Sequence, residues 1–288
     1  MHVTIYESSN RDRISLAAWP VMFRELYDFR ELIFRLVRRN FAGQFRQSFL
    51  GYIWIIFPPI GTTLVFSLLR QAQIVTMPME GRAIPYTLFA LIGVTFWQMF
   101  TQFSMSTTGS IANAGNLVSK IYFPREVLVL SGAGGALINT LIRLVVVAIT
   151  FVLFRFTPAW QIVFVPLAVL PMVILALGFG LFFAPLNAMM RDTGRALEFV
   201  FQFGMLMAPT VYLTPSLESA FSRSERLIFW VHSLNPVSHF LYAVYDLVEY
   251  GRFTLTTGYI VATAISLLVF ALGWRFFHAC EPLLAERL

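Results

Sequence analysis

Lysine is almost absent from this sequence. Lys120 stands alone among 21 basic residues, and the other twenty are arginine. A phosphate-binding loop of the Gly-x4-Gly-Lys-Ser/Thr type needs a lysine beside its backbone amides. Lys120 lies in "GNLVSKI", after Ser119 and before Ile121, so the chain has no nucleotide site of that type. The single cysteine, Cys280, excludes an internal disulfide and a cysteine-held metal. The four histidines, His2, His232, His239 and His278, show no ligand spacing, and neither His-Glu-x-x-His nor Gly-x-Ser-x-Gly occurs. We therefore expect no catalytic residues, no metal and no cofactor in this chain. Charge is also scarce, 12% of residues, where a soluble domain carries about 25%. Asp192 and Glu198 sit at the edge of an apolar segment, so no cluster of buried carboxylates offers proton coupling. The N-terminus lacks a short apolar core followed by a small-residue cleavage site. The first span is expected to act as the targeting signal.

Apolar residues fill the space that charge leaves: 58% of 288 positions are hydrophobic. Charge-free windows locate six spans at Gln47–Leu69, Ile84–Thr107, Val127–Leu153, Ile162–Phe183, Phe199–Leu213 and Phe253–Trp274. Several exceed the ~18 apolar residues that mark a membrane crossing. The stretch Leu227–Tyr245 is ambiguous. It carries His232, Asn235-Pro236 and His239, poor residues to show to lipid, and reads as a re-entrant or interfacial segment, with a seventh span as the alternative. Six spans divide the basic residues unevenly. Fourteen fall on the side that holds both termini and the loops around Lys120 and Arg191, six fall on the other, and Arg143 lies within a span. The richer side is cytoplasmic by the positive-inside rule.

Ahead of the first span, Val21–Arg46 reads as an amphipathic helix. Met22, Leu26, Phe29, Ile33, Val37 and Phe41 make one face, and Arg24, Asp28, Glu31, Arg35, Arg38 and Arg39 lie largely off it. Such a helix lies in the membrane interface. Its acids, of little use to a purely lipid-binding helix, suit a protein partner. The chain then turns at Gly43 or Gly51 and enters the bilayer through "FRQSFLGYIWIIFPP". Pro58-Pro59 removes backbone bonds one turn back, a break that neighbouring helices must satisfy.

Three further segments carry polarity where lipid would disfavour it. "NAGNLVSKIYFPREVLVLSGAGGALIN" joins a polar connection, read as a short surface helix or an anchoring loop, to a span rich in small residues. Small residues let helix backbones approach closely in lipid. Gly132, Gly135, Asn139 and Arg143 fall on one stripe there. Arg143 must face protein or water, either beside a polar conduit or in a buried structural pair with an acid or a carbonyl. Thr95, Gln98 and Gln102 share a face of the second span. Glu198, Gln202, Met205, Pro209 and Tyr212 share a face of the fifth. Each stripe is a pathway or a helix contact.

Four segments in order, "RELIFRLVRRNFAGQFRQSFLGYIWIIFPP", "NLVSKIYFPREVLVLSG", "NAMMRDTGRALEFVFQFGMLMAPTVYL" and "LNPVSHFLYAVYDLV", resemble the membrane subunit of type-2 ABC exporters. The likeness is to the branch that exports bacterial polysaccharides such as O antigen, teichoic acid and capsule. It covers the chain from about Arg24 onward. It implies an all-α membrane protein of six transmembrane helices, with an N-terminal amphipathic interface helix and re-entrant gate helices between the fifth and sixth. Residues 1–46 would be the cytoplasmic tail and 47–288 the transmembrane domain, in the cytoplasmic (inner) membrane with both termini inside. The partners implied are a second copy, two ABC ATPase subunits that hold ATP and Mg, and a polyprenyl-diphosphate-linked glycan, with no nucleic acid. The same architecture serves exporters of drugs or lipids. The resemblance places the contact with the ATPase at Arg24, Glu25, Glu31, Asn116, Lys120, Tyr122 and Arg125. Our reading of the pathway, built on that architecture, takes in Arg38, Arg39, Arg46, Tyr52, Gln98, Gln102, Arg143, Gln202 and Tyr212, with the arginines at the cytoplasmic entrance meeting diphosphate.

Overall fold

A computed structural model describes residues 26–74, 79, 82–114, 123–214 and 223–287, with side chains to Cys280. Arg24, Glu25, Asn116, Lys120 and Tyr122 lie outside the described residues. Among those residues the regular structure is helical: α1 (Arg30–Gln44), α2 (Ile53–Gln71), α3 (Tyr86–Thr108), α4 (Glu126–Leu153), α5 (Val165–Met189), α6 (Asp192–Gly204), α7 (Arg223–Leu234), α8 (Pro236–Glu249) and α9 (Thr257–Arg287). A 3-10 turn at Trp160–Phe164 leads into α5, and another at Met205–Met207 follows α6. Five of these elements, α2, α3, α4, α5 with its leading turn, and α9, are long and apolar enough to cross a membrane.

α3 is the central mast. Seventeen of its 23 residues are buried, whereas α2 buries only Ile55, Pro59 and Thr63. α4, α5 and α2 pack around α3, α9 runs along α5, and α1 lies against α4. Phe89, Leu88, Met172, Leu175, Phe240 and Leu241 are fully buried in the resulting core. The outer faces of α2, α4, α5 and α9 show Leu64, Leu68, Val145, Ile149, Leu167, Leu170, Leu267 and Leu268 to the surroundings. Apolar cover on this scale fits lipid, not water.

α1 docks as an amphipathic helix should. Leu36 is buried against Phe123, Val127 and Leu128, flanked by Leu26, Phe29, Leu32 and Ile33. The stripe is thus centred on Leu36, between the apolar positions named from spacing. The turn after α1 is made at Gln47 and Gly51, both with positive φ, and not at Gly43, which stays helical.

The fifth expected span departs from a simple rod. Phe199–Leu213 is the end of the 13-residue α6, a 3-10 turn, and a non-helical segment from Ala208. Pro209 explains the break. It offers no N–H, and it drives the preceding Ala208 to φ −136°, ψ 154°. The segment nevertheless runs the length of α3. At one end Asn187 Nδ2 donates to Thr108 O and the Gly194 amide donates to Asn187 Oδ1. Midway Trp97 Nε1 donates to Phe201 O, and at the far end the Tyr86 hydroxyl donates to Val211 O.

The small residues of α4 divide their work. A Cβ on Gly132 would stand 2.6 Å from the Ser106 carbonyl of α3, and one on Gly134 would stand 2.5 Å from Val37 of α1. Gly135, on the expected stripe, has open space. Gly132→Ala should therefore destabilise the detergent-solubilised protein by about 1–3 kcal/mol. Gly135→Ala should be neutral or stabilising by up to ~1 kcal/mol, because alanine is the better helix former. Thermal melting of the two variants side by side checks this, and equal loss in both would refute the assignment.

Candidate functional site

Two groups of polar contacts stand out where apolar packing dominates. The first is the elbow between α1 and α2. Tyr52 stacks on Phe41 at 5.4 Å and leans on Phe45 at 5.1 Å, closing the turn with aromatic rings. Asn139 Nδ2 of α4 donates to Gln44 Oε1 at 3.4 Å. One helical turn further, Arg143 Nε donates to the Ile55 carbonyl at 3.1 Å. Ile55 lies four residues before Pro59, so its carbonyl is one that Pro59 cannot satisfy. Ile55, Pro59 and Thr63 form the buried stripe of α2.

The second group surrounds the unwound segment 205–214. Its carbonyls have lost helical partners, and side chains supply replacements. Thr210 donates to Met205 O at 2.8 Å, Tyr212 to Leu206 O, Asn235 to Met207 O at 2.8 Å, Tyr245 to Pro209 O at 2.9 Å, and Tyr86 to Val211 O at 2.9 Å. Asn235 has a double use. Its Oδ1 accepts from the Val237 amide, capping α8, whose first residue is Pro236. The Asn235-Pro236 pair therefore separates α7 from α8 and staples their junction to the unwound segment. Thr214 Oγ1 bridges Tyr242 and His232 Nδ1, each at 2.6 Å, and Tyr212 stacks on the His232 ring.

Beside this group Arg82 binds α8. Its Nη1 lies 2.7 Å from Asp246 Oδ1 and 3.1 Å from Glu249 Oε2, and the Ala83 amide donates to Glu249 Oε1. Burial opposes the charge on Arg82, but the two carboxylates hold its pKa above the ordinary arginine value. The rings of Tyr242, Tyr245 and Tyr250 surround the guanidinium at 5.7–5.9 Å. Ala159 N donates to Val248 O, so the α2–α3 and α4–α5 connections both meet α8 at this end. At the opposite end Glu126, opening α4, pairs with His278 of α9 at 2.6 Å.

The residues chosen from sequence fall into several environments. Glu31 is exposed and pairs with Arg35 at 3.0 Å. Arg38, Arg39 and Arg46 are exposed along and after α1, with Arg39 bonded to Asn40. Arg125 immediately precedes α4. Gln98 and Gln102 turn their side-chain oxygens into buried positions of α3, where they meet no protein partner among the described residues, as does the Thr95 hydroxyl. Gln202 is exposed on α6. Tyr212 belongs to the stapled segment and Tyr52 to the elbow. Sequence reading missed Arg82, Asp246, Glu249, Tyr86 and Tyr245. The spacing of Asp246 and Glu249 on one face of α8 was the available signal, but nothing local ties them to an arginine 164 residues away.

Five long apolar helices, an unwound segment packed along α3 and a docked amphipathic helix fit a membrane permease architecture. Residues 31–248 match the ABC-2 type transporter family, and the chain belongs to it. Among its relatives is the O-antigen export system permease protein RfbA of Myxococcus xanthus, 26% identical over 216 residues, covering 75% of this chain and 79% of the relative. Two proteins of the same name from Klebsiella pneumoniae are 24% and 23% identical over 259 residues, each covering 85% of this chain and 93% of the relative.

The Tyr245 hydroxyl is the partner that Pro209 O has in place of a backbone amide. Tyr245→Phe keeps the ring and orphans a buried carbonyl, so it should cost about 1–3 kcal/mol. Thermal melting of purified protein measures the loss, and an unchanged midpoint would show that the segment does not depend on this staple.

Proposed function

We propose that this chain is the permease subunit of an ATP-driven exporter that carries lipid-linked O-antigen-type polysaccharide across the cytoplasmic membrane. Two copies would form the conduit, and two separate ATPase subunits would supply ATP and Mg. The family and the names of the three relatives support the transporter class and the cargo. The lack of a phosphate-binding loop supports a separate motor.

The observation that carries this reading is α1. Its apolar face is committed to α4 while Glu31, Arg35, Arg38 and Arg39 remain exposed. A charged surface held rigidly on a span is suited to receive a push from a soluble partner. Glu31 and Arg125, with Arg24, Glu25, Asn116, Lys120 and Tyr122, would make that contact. Arg38, Arg39 and Arg46 would meet the diphosphate at the entrance. Gln98, Gln102, Gln202, Tyr52 and Tyr212 would face the path, and the unpartnered oxygens of α3 favour a hydrated one.

The same geometry supports a six-crossing topology, with α6 and the unwound segment as the sixth crossing beside the five long helices. α6 and the unwound segment run antiparallel to α3 along its length, and α9 starts at the end where Arg82 meets α8. In that topology both termini would be cytoplasmic, and α7 with α8 would form a re-entrant gate on the outer side.

Removing this chain from the cell that encodes it should leave lipid-linked glycan inside, seen as loss of surface polysaccharide with a sugar-specific antibody. Normal surface glycan would refute the cargo. Glu31→Arg should lower co-purification of the ATPase subunit several-fold. Unchanged association and ATP turnover would count against α1 as the receiving surface.

A further inference from the structure

We propose that Arg143 is a positioning residue whose Nε replaces the amide that Pro59 lacks, holding α2 against α4. Three observations on different elements converge here. The acceptor is Ile55 O, the carbonyl exactly one helical hydrogen bond before Pro59. Ile55 and Pro59 lie on the buried stripe of α2, so water is not at hand to satisfy that carbonyl. Arg143 is 8% exposed and comes from the facing helix.

The pairing explains two features that are costly apart. A proline inside a span orphans a carbonyl, and an arginine inside a span needs an acceptor. Each supplies what the other lacks. Asn139, one turn earlier on α4, holds Gln44 at the end of α1. Two polar side chains of one helix therefore fix both arms of the elbow. A displacement of α1 is transmitted to α2 and α4 together and is not lost in the turn at Gln47 and Gly51. Arg143 Nη1 is buried without a protein partner among the described residues, which leaves cargo contact as the rival role.

The consequence for transport rests on the export reading, but the pairing itself does not. A double-mutant cycle with Pro59→Ala and Arg143→Met separates them. Arg143→Met leaves Ile55 O orphaned, and Pro59→Ala restores the backbone amide but leaves the arginine unmatched. Each single variant should melt about 3–8 °C lower. The double variant, in which both partners are replaced, should return to within about 2 °C of the parent. If Arg143→Met does not accumulate, recovery of its expression by Pro59→Ala is the readout. Arg143→Lys, which keeps a donor, should fall between. Additive losses in the double variant would overturn the pairing.

Export per ATP hydrolysed, in the complex with its ATPase, should fall in Arg143→Met and recover in the double variant. Recovered melting with export still lost would overturn the positioning role and assign Arg143 to the cargo. A parent complex that hydrolyses ATP and exports no glycan would refute the export reading, while the melting cycle would still decide the pairing.

Discussion

A backbone carbonyl inside hydrocarbon must find a donor within the protein, and this requirement organises the molecule. Regular helices meet it internally, so most of the chain is long helices around α3. Prolines inside α2 and α5 and after α6 prevent this locally, and at two of these places the replacement donors are seen. In α2, Pro59 leaves Ile55 O to Arg143. After α6, Pro209 ends the helical pattern, and five carbonyls between Met205 and Val211 turn to Thr210, Tyr212, Asn235, Tyr245 and Tyr86. Arg143, Thr210, Tyr86 and Tyr245 are thus buried polar groups with a structural use, each donating to a carbonyl at a break.

The breaks and the continuous helices are held together in different ways. Where helix is continuous, close packing resists change: a Cβ on Gly178 of α5 would stand 2.7 Å from the backbone of Phe270 in α9. Where side chains replace backbone bonds, one donor on another element holds each of the Ile55, Pro209 and Val211 carbonyls. The stapled segment at 205–214 joins α6 to the α7–α8 pair, and Arg82 ties that pair to the connection before α3. The elbow joins the exposed charges of α1 to the first long helix.

The membrane class, the long helices and the amphipathic character of α1 were legible because hydropathy and period-3.6 spacing are local quantities. The ends of α3 and α4 fall within two residues of the charge-free windows. Asn235-Pro236 marked a real break between α7 and α8, while Pro58-Pro59 cost α2 a backbone bond without ending the helix, since a missing N–H acts whatever surrounds it. The fifth window was read as one rod, because composition counts apolar residues and does not see Pro209 end their helix. Arg143 presented two readings from sequence, conduit or carbonyl, and spacing alone did not separate them.

The sequence alone determined that this chain enters a membrane and where its long helices run, since each depends on composition along the chain. Only the tertiary structure decided which donor answers which orphaned acceptor. Arg143 and Ile55 are 88 residues apart, and Tyr86 and Val211 are 125. Such pairs depend on how each helix is rotated about its axis and on how closely glycines let the backbones approach. Those quantities are set when all the helices pack at once.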